Sequence, residues 1–526
     1  MKRFLCFYLM FALLTKVQAQ NVTITPNGVT PSAGGLTIPR ISYTAILDLP
    51  SPQSGDMAYD TTFECLRIYS RGKWLCSYEV PGAPTSPENY HPNMSAIATA
   101  GGTEADFPAN MAIDNAGNIY VIGSYKGTST FGANTISSNG DYDIFVAKYD
   151  KNGILKWVKS GGGTGEDFGY GICVDGSGNV YITGKYKLTA TFGALTTTTA
   201  AASSMFIVKY DNNGNEQWVK STTPGGTITL SQIFPQDIAI DSNGDLYITG
   251  GFYGTVNFGS FTRSTAPGSS NAFITKCDSS GEFQWVQTLV SLFQQTGYNI
   301  AVDSNNNVYV TGTFADNIVF GSISKRSYQS TNDIFLAKYN SNGVAQWVQS
   351  AGGSGYDTGT AVYVDDDNQV YVAGHYEGTA TFGTSSKTAV DGSDIFLAKY
   401  DVDGSLLWVQ SAGGSSHDRA LGIAVDGNKN VYLTGYFSGS SVAFGSITKA
   451  SYGPIDGFVA KYNSSGTINW VEIFGGTGHD MFSGGIGCYG NGIIFLTGSY
   501  SGTANFGTNT LTSQGVTDIF IAIIQN

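Results

Sequence analysis

The stretch DNAGNIYVIGSY, residues 114–125, joins a polar turn to a strand that ends in Gly123 and an aromatic residue two positions later. Asp, Asn and Gly are favoured in tight turns, and the β-branched and aromatic residues that follow favour a strand. The pattern returns about every 62 residues, which indicates a repeated structural unit. Seven copies are present, and the other six glycines are Gly184, Gly250, Gly312, Gly374, Gly435 and Gly498.

Each copy carries four strand signals, which in the first copy cover residues 110–114, 118–125, 143–150 and 154–160. The third signal contains Phe-x-x-Lys-Tyr and the fourth ends in Trp-Val, and both return in later copies. Four short strands per repeat are typical of the blades of a β-propeller, whereas solenoids, the competing interpretation, usually have shorter repeats and atypical end caps. The sequence therefore predicts an all-β fold, a seven-bladed β-propeller of four-stranded blades.

The two ends of the repeat array predict how such a propeller closes. The seventh copy stops at residues 518–526, DIFIAIIQN, and lacks the Trp-Val strand. The segment MSAIATAGG at 94–102 aligns with LLWVQSAGG at 406–414, which contains that strand. We therefore expect Met94–Ala100 to complete the last blade, so that main-chain hydrogen bonds close the ring and remove exposed edges.

The repeat D-x-x-G-N-x-Y-[IV]-[TA]-G, followed by F-[LV]-A-K-Y-[DN] and G-x-x-x-W-V, covers about four fifths of the chain. It resembles the seven-bladed β-propeller repeat (SBBP type) of bacterial secreted proteins. The resemblance implies the propeller fold. It implies little about activity, because members of that family are mostly exported or surface proteins with no shared catalytic residues.

The first part of the chain differs from the repeats. Residues 1–19 have a positive start, an apolar run and a small-residue cleavage signal, which predicts a secretory signal peptide. Residues 20–80 resemble a small β module of bacterial surface and fibre-like proteins, and the Pro-rich residues 81–93 are predicted to be a linker. The propeller is expected to occupy 94–526. We expect an exported protein, located extracellularly, at the cell surface or in the periplasm.

Two cysteines of the N-terminal module are candidates for a disulfide. Cys65 and Cys76 flank the segment LRIYSRGKWL, which is predicted to form two strands joined by a turn. An oxidising compartment outside the cytoplasm would favour a bridge across this hairpin.

Loops that join successive copies carry a Gly-Gly-x-x-x-Asp motif, which partly resembles a calcium-binding nonapeptide. That motif needs tandem copies nine residues apart, whereas these loops recur once per repeat. A structural role, with the carboxylate accepting loop N–H groups, is the alternative to a Ca²⁺ site. The candidate metal ligands are Asp106, Asp167, Asp357, Asp418 and Asp480.

The third and fourth copies lose this motif and present apolar residues in their loops. Ile233, Phe234, Leu292 and Phe293 form the candidate ligand-binding set, because apolar residues in a surface loop can mark a partner site. Packing against the N-terminal module or under a longer loop is the alternative interpretation.

Composition and motifs restrict the function classes. The chain has 27 basic and 40 acidic residues, a net charge of −13, which disfavours binding to nucleic acid or anionic membranes. No nucleophile elbow, zinc-binding helix motif or phosphate loop is found, and no membrane span is predicted. We expect a non-enzymatic scaffold that binds a glycan or an extracellular protein through its loop face. The alternatives are a polysaccharide hydrolase or lyase, and a structural cell-surface subunit that oligomerises through residues 20–80.

Overall fold

A computed structural model of the chain describes residues 93–226, 231–291, 293–490, 492–507 and 509–525, together with the backbone of six strands nearer the N-terminus. The chain divides into two compact units, Met1–Asn89 and Tyr90–Asn526. Apart from the 3₁₀ turn Tyr328–Ser330, every regular element described is a strand, so the predicted all-β class is confirmed for this part of the chain. None of the described residues forms a helix that could span a membrane.

The first unit contains a two-stranded and a four-stranded sheet. Val22–Thr25 pairs with Gly28–Pro31, and the larger sheet has the order Arg40–Ile41, Met57–Asp60, Cys65–Ser70, Lys73–Ser77. In its last hairpin Arg67 lies opposite Cys76, so Cys65 is two positions from the residue facing Cys76. The cysteine side chains lie outside the described residues, and the disulfide stays a prediction.

The second unit consists of seven groups of four antiparallel strands, which we call sheets 1 to 7. Within each sheet, strands that are successive in the chain are neighbours in space, except that sheet 7 ends with the N-terminal strand of the unit. Sheet 1 is Asp106–Ile113, Ile119–Phe131, Asn134–Tyr149, Leu155–Gly162; sheet 2 is Phe168–Val174, Val180–Tyr186, Ser204–Tyr210, Glu216–Ser221; sheet 3 is Gln232–Ile240, Leu246–Tyr253, Asn271–Cys277, Phe283–Leu289; sheet 4 is Thr296–Val302, Val308–Ala315, Asn332–Tyr339, Ala345–Gly353; sheet 5 is Thr358–Val364, Val370–Phe382, Ser385–Tyr400, Leu406–Gly414; sheet 6 is Asp418–Val425, Val431–Ser438, Ile455–Tyr462, Ile468–Gly476; sheet 7 is Met481–Tyr489, Ile493–Tyr500, Asp518–Gln525, Asn93–Gly102.

Short hairpins extend from the second and third strands of each sheet. In sheets 1 and 5 they are continuous with those strands. A separate two-residue strand, Thr223–Pro224, pairs with the hairpin of sheet 3. The separate hairpins are Thr189–Phe192 with Leu195–Thr198, Thr255–Phe258 with Phe261–Ser264, Asn317–Phe320 with Ile323–Arg326, Ser441–Phe444 with Ile447–Ala450, and Thr503–Phe506 with Asn509–Thr512.

Neighbouring sheets contact each other in sequence order through their first strands, and the first strand of sheet 7 also contacts that of sheet 1. Sheet 7 takes its fourth strand from the other end of the unit. Asn93–Gly102 pairs with Asp518–Gln525, with Met94 opposite Ile524 and Ala100 opposite Ile519. The N-terminal segment of the repeat region is therefore part of the same sheet as its C-terminal strand.

The polar turns form because their first residue accepts hydrogen bonds from the turn itself. In the turn between the first two strands of sheet 1, Oδ1 of Asp114 accepts the N–H groups of Ala116 and Asn118, both at 2.9 Å. Oδ2 accepts the hydroxyl of Tyr120 at 3.0 Å. The same cap recurs at Asp175, Asp241, Asp303, Asp365 and Asp426.

The repeated Trp and Lys residues join one sheet to the next. The Trp157 indole and the Lys148 ammonium both donate to the carbonyl of Asn212 in sheet 2, at 3.2 Å and 3.3 Å. Trp347 and Lys338 repeat both contacts at the carbonyl of Val402, and the Trp contact also recurs at Trp285 and Trp408. These residues stabilise the packing between sheets, where the buried apolar clusters also lie.

Candidate functional site

The Gly-Gly-x-x-x-Asp loops connect one sheet to the next, and their aspartates are fully buried. Between sheets 1 and 2, the Gly163 N–H donates to Oδ2 of Asp167 at 2.7 Å, and the Lys187 N–H donates to Oδ1 at 2.9 Å. The carboxylate thus holds the loop against the second sheet. Asp106, Asp357, Asp418 and Asp480 occupy the same position, and each accepts the N–H of the glycine four residues earlier.

A second buried aspartate, which the sequence analysis did not single out, lies near each loop aspartate. Asp143 begins the buried part of the third strand of sheet 1, and its charge raises the pKa of Asp167. The other pairs are Asp106 with Asp518, Asp357 with Asp333, Asp418 with Asp394, and Asp480 with Asp456.

The two remaining connections lack both aspartates. Ser204 and Ile233 occupy the two positions between sheets 2 and 3, and Asn271 and Gln295 occupy them between sheets 3 and 4. The two aspartates are therefore present together or absent together. This co-occurrence was visible in the repeat alignment and would have identified the second carboxylate.

Burial raises the pKa of these paired carboxyl groups, to about 6 for Asp143 and Asp167 and to about 7 for Asp418. Calcium prefers six to eight oxygen ligands. No three His, Cys, Asp or Glu side chains in the described ranges are grouped as a metal site would require. The geometry favours the hydrogen-bonding role of the loop aspartates, and Ca²⁺ binding stays a prediction.

The four candidate ligand-binding residues differ in their surroundings. Ile233 is fully buried in the apolar core formed by sheets 2 and 3, so its assignment to a ligand surface was wrong. It replaces a buried loop aspartate, which explains why it faces inward. Phe293 is 45% exposed, and Phe234 is half-buried. Leu292 lies outside the described residues.

Phe234 belongs to a group of aromatic side chains that spans sheets 1, 2 and 3. The rings of Phe107 and Tyr142 are 6.3 Å apart between centroids, and Tyr142 stacks on Phe168 at 5.3 Å. Phe107 is 37% exposed, and the other members are half-buried. We call this group the aromatic row; it consists of Phe107, Tyr142, Phe168, Tyr170, Phe234 and Tyr253.

Lys185 links the aromatic rings of sheets 1 and 2 to those of sheet 3. Its ammonium lies 4.8 Å from the ring centroid of Phe168 and 5.2 Å from that of Phe234. Tyr253 meets Phe234 edge-on at 6.0 Å. Burial lowers the pKa of Lys185, and the aromatic faces stabilise its charged form. The row therefore consists of two groups of aromatic rings with a cation between them.

Three members of the row occupy equivalent places, each near the start of a first strand. We call the seven equivalent residues the mouth positions, because they precede the residues that line a cavity between the first strands. The mouth positions are Phe107, Phe168, Phe234, Thr296, Thr358, Arg419 and Met481. An aromatic residue directly after the loop occurs only in the first three copies, a signal that the sequence analysis did not use.

The cavity has a volume of about 200 Å³ and is lined by residues from the first strands of all seven sheets. Asp237 is the one carboxylate among its described lining residues. Its oxygens accept the side-chain amides of Asn110 at 3.1 Å and Asn299 at 2.7 Å, and the Ile300 N–H at 3.3 Å. Burial raises the pKa of Asp237 to about 7. It is the one charged residue of the strand Gln232–Ile240, a signal that the sequence analysis did not use.

Comparison with known proteins agrees with the repeat architecture. Residues 100–124, 225–251 and 284–313 match the model of the SBBP β-propeller repeat. The chain contains β-propeller repeats. The matched segments of this propeller-repeat chain include the loop before sheet 1 and the first strands of sheets 1, 3 and 4, and therefore three of the seven mouth positions.

Two curated relatives are similar to the repeat region. An uncharacterized WD repeat-containing protein of Acanthamoeba polyphaga mimivirus is 24% identical over 421 residues, which cover 65% of this chain and 30% of the relative. Regulatory protein FlaEY of Caulobacter vibrioides is 24% identical over 439 residues, which cover 77% of this chain and 39% of the relative. The chain spans less than two fifths of the length of either relative. A solved structure described as YCF48 bound to D1 peptide is 11% identical, with a TM-score of 0.38, and the match covers 85% of this chain and all of that one.

Proposed function

We propose that this protein is an exported, non-enzymatic, seven-bladed β-propeller whose loop face binds a glycan through the aromatic row. The observation that carries the proposal is the aromatic row, in which the rings of Phe107, Tyr142 and Phe168 make successive contacts across sheets 1 and 2, and Lys185 links Phe168 to Phe234 of sheet 3. A sugar ring has apolar C–H faces that pack on aromatic faces, and its hydroxyls bond polar groups at the edges.

The propeller architecture is supported by three features of the second unit. Seven four-stranded sheets follow one another, and their first strands contact each other in sequence order, with the last against the first. One cavity is lined by all seven first strands. Asn93–Gly102 supplies the fourth strand of sheet 7, which would close the ring as the sequence predicts.

A polysaccharide hydrolase fits the described residues less well than a glycan-binding protein does. Glycoside hydrolysis commonly needs two carboxyl groups on either side of the scissile bond. Asp237 is the one carboxylate among the described residues that line the cavity. Its two oxygens already accept hydrogen bonds from the side-chain amides of Asn110 and Asn299. The paired aspartates of the loops are buried between sheets and do not line the cavity.

Export is supported by the charged and apolar pattern of residues 1–19. The test is expression of the full chain in a bacterial host, followed by fractionation and N-terminal sequencing. Recovery outside the cytoplasm with Gln20 as first residue is expected. Recovery only in the cytoplasm with residues 1–19 retained would contradict export.

The binding proposal is tested by affinity electrophoresis of the full chain in gels that contain neutral or acidic polysaccharides. Phe107→Ala, Phe168→Leu and Phe234→Leu should each weaken retardation by about tenfold, because stacked aromatic contacts contribute on the order of 1 kcal/mol or more. Phe168→Tyr should bind like the original chain, which separates lost stacking from lost folding.

A matched control is Tyr452→Ala, because Tyr452 is 57% exposed and lies outside the aromatic row. It should leave binding unchanged. Equal retardation of the Phe variants and the original chain would contradict the proposal. So would the absence of retardation in every polysaccharide tested.

A further inference from the structure

Two cations lie at the mouth positions or directly beside them. Arg419 is the mouth position of sheet 6, and Lys185 lies opposite the mouth position of sheet 2, Phe168. Neither takes part in an ion pair between described residues. Glu166, whose charge also acts on Lys185, pairs with Lys187 at 2.5 Å. Among the described residues, the direct contacts of the Lys185 ammonium are with the rings of Phe168, Tyr170 and Phe234.

Arg419 has an unsatisfied donor. Its Nε is buried and has no hydrogen-bond partner among the described residues. The preceding residue, Asp418, is turned away from it, because the Asp418 oxygens accept the N–H groups of Gly414 and Ser438. A buried donor without an acceptor costs free energy on the order of 1–3 kcal/mol, more when it is charged. The guanidinium can therefore donate a hydrogen bond to an acceptor group of a ligand.

The groups around Arg419 add no negative charge. Tyr298 and His375 are near enough for Arg419 to affect their pKa values. Burial, and then the charges of Arg419 and His417, lower the pKa of His375 to about 3, so this imidazole is neutral at ordinary pH. Tyr436 lies opposite Arg419 on the next strand. Among these described neighbours of Arg419, an incoming anion would meet neutral side chains beside the guanidinium.

Asp237, the one carboxylate among the described residues that line the cavity, already has hydrogen-bond donors around it. Asp237 accepts hydrogen bonds from Asn110, Asn299 and the Ile300 N–H, which disperse its charge when it is ionised. A chain with a net charge of −13 thus presents two unneutralised cations around an aromatic surface. The local positive charge, on a chain whose net charge is negative, favours an anionic ligand.

We propose that the ligand is an acidic polysaccharide, one anionic group of which binds the Arg419 guanidinium. Lys185, which lies over the rings of Phe168 and Phe234, binds a second anionic group, and a sugar ring of the same chain packs against the aromatic row. The proposal rests on the glycan-binding function above and specifies its substrate class. A guanidinium matches the two oxygens of a carboxylate or sulfate group with a pair of hydrogen bonds.

The test compares polygalacturonate with its fully methyl-esterified form, which keeps the sugar backbone and removes the charge. The full chain should bind the acid form at least about tenfold more tightly, since hydrogen bonds to charged groups contribute roughly 1.5–3 kcal/mol. Arg419→Gln should reduce this preference to the part that Lys185 contributes, and Arg419→Lys should restore part of the loss. Arg326→Gln, at a side chain 76% exposed on a hairpin, is the matched control and should change nothing.

A second arm identifies the anionic group. Dextran sulfate and dextran are compared in the same way. A preference for the sulfated form that Arg419→Gln reduces would assign sulfate as the group and also support the proposal.

Two results would overturn the acidic-ligand proposal. One is equal binding of charged and uncharged forms in both arms. The other is a charge preference that Arg419→Gln leaves unchanged. If binding to both forms is equal but still lost in the Phe168→Leu variant, glycan binding stands and only the acidic ligand fails. If no polysaccharide binds at all, the proposed function itself fails.

Discussion

The carboxylates of Asp143 and Asp167 both approach the position that a Cβ on Gly162 would occupy. A Cβ at Gly162 would be 2.6 Å from Oδ1 of Asp143 and 3.0 Å from Oδ2 of Asp167. Oδ1 of Asp143 is buried and has no hydrogen-bond partner within the described part of the chain. The pair therefore stores unfavourable electrostatic free energy when both groups are ionised.

This relationship predicts a stability that falls as pH rises. Burial raises the pKa of both groups from the ordinary value of 3.8 to about 6. Between these two pKa values the folded state binds more protons than the unfolded chain, so the free energy of unfolding falls as pH rises. The contribution of the two carboxyl groups to stability is therefore complete below pH 4 and is lost as pH rises past 6. Asp143→Asn should be about 1–3 kcal/mol more stable than the original chain at pH 8 and no more stable at pH 4. Thermal unfolding followed by circular dichroism from pH 4 to 8 measures the difference.

The control for this titration is Asp403→Asn, because Asp403 is exposed in a turn between strands. Its pH profile should match that of the original chain. An unchanged profile in Asp143→Asn would show that the paired carboxyl groups do not govern the pH dependence.

Gly162→Ala should destabilise the protein severely. The new methyl group would overlap the carboxyl group of Asp143, and the backbone at Gly162 has a φ of +147°, which favours glycine. We expect a loss of about 3 kcal/mol or more in urea unfolding, or a failure to fold. Gly176→Ala is the matched control, because its Cβ would have no atom within 4 Å, and it should change stability by less than about 0.5 kcal/mol. Similar stability of the two variants would refute the close contact.

The strand Asn93–Gly102 should be essential for cooperative unfolding. A chain that starts at residue 90 keeps this strand opposite Asp518–Gln525, whereas a chain that starts at residue 103 leaves an unpaired edge. The shorter chain should melt at least about 10 °C lower and be more prone to aggregate. Differential scanning calorimetry of both chains provides the measurement. Equal melting temperatures would exclude a structural role for the strand.

Asp237→Ala should lower stability by about 2–4 kcal/mol, because the amides of Asn110 and Asn299 lose their shared acceptor. Asp237→Asn keeps one acceptor oxygen and should lose less. Urea unfolding of the three chains at pH 6 measures both effects. Equal loss in the two variants would contradict this expectation, because Asn keeps the volume of Asp and one acceptor oxygen.

The sequence predicted the strands and turns well because each repeat copy has local turn chemistry that specifies them. The cap of Asp114 and the Trp157 contact follow from residue type and position within the repeat. Ile233 was misassigned because an apolar residue in an irregular loop was taken as exposed, although its repeat position is the buried place of a loop aspartate. Lateral neighbours decide such burial, and they are distant in sequence.

The aromatic row could be predicted only in part for the same reason. Phe234 stood out because its copy is irregular, whereas Phe107 and Phe168 follow regular loops. Contact between them depends on the side-by-side arrangement of three first strands and on Tyr142 from a third strand. No local pattern reports that arrangement.

The two connections without aspartate pairs flank sheet 3, the sheet that supplies Phe234 and Asp237. At the other five connections, residues of the binding surface directly adjoin the paired aspartates: Phe107 follows Asp106, Tyr142 precedes Asp143, Phe168 follows Asp167 and Arg419 follows Asp418. Between pH 5 and 8 these five pairs should change the overall resistance to unfolding, and they take up their protons beside the binding surface. Durability and recognition are thereby coupled through one repeated motif, so a change in environmental acidity can alter both.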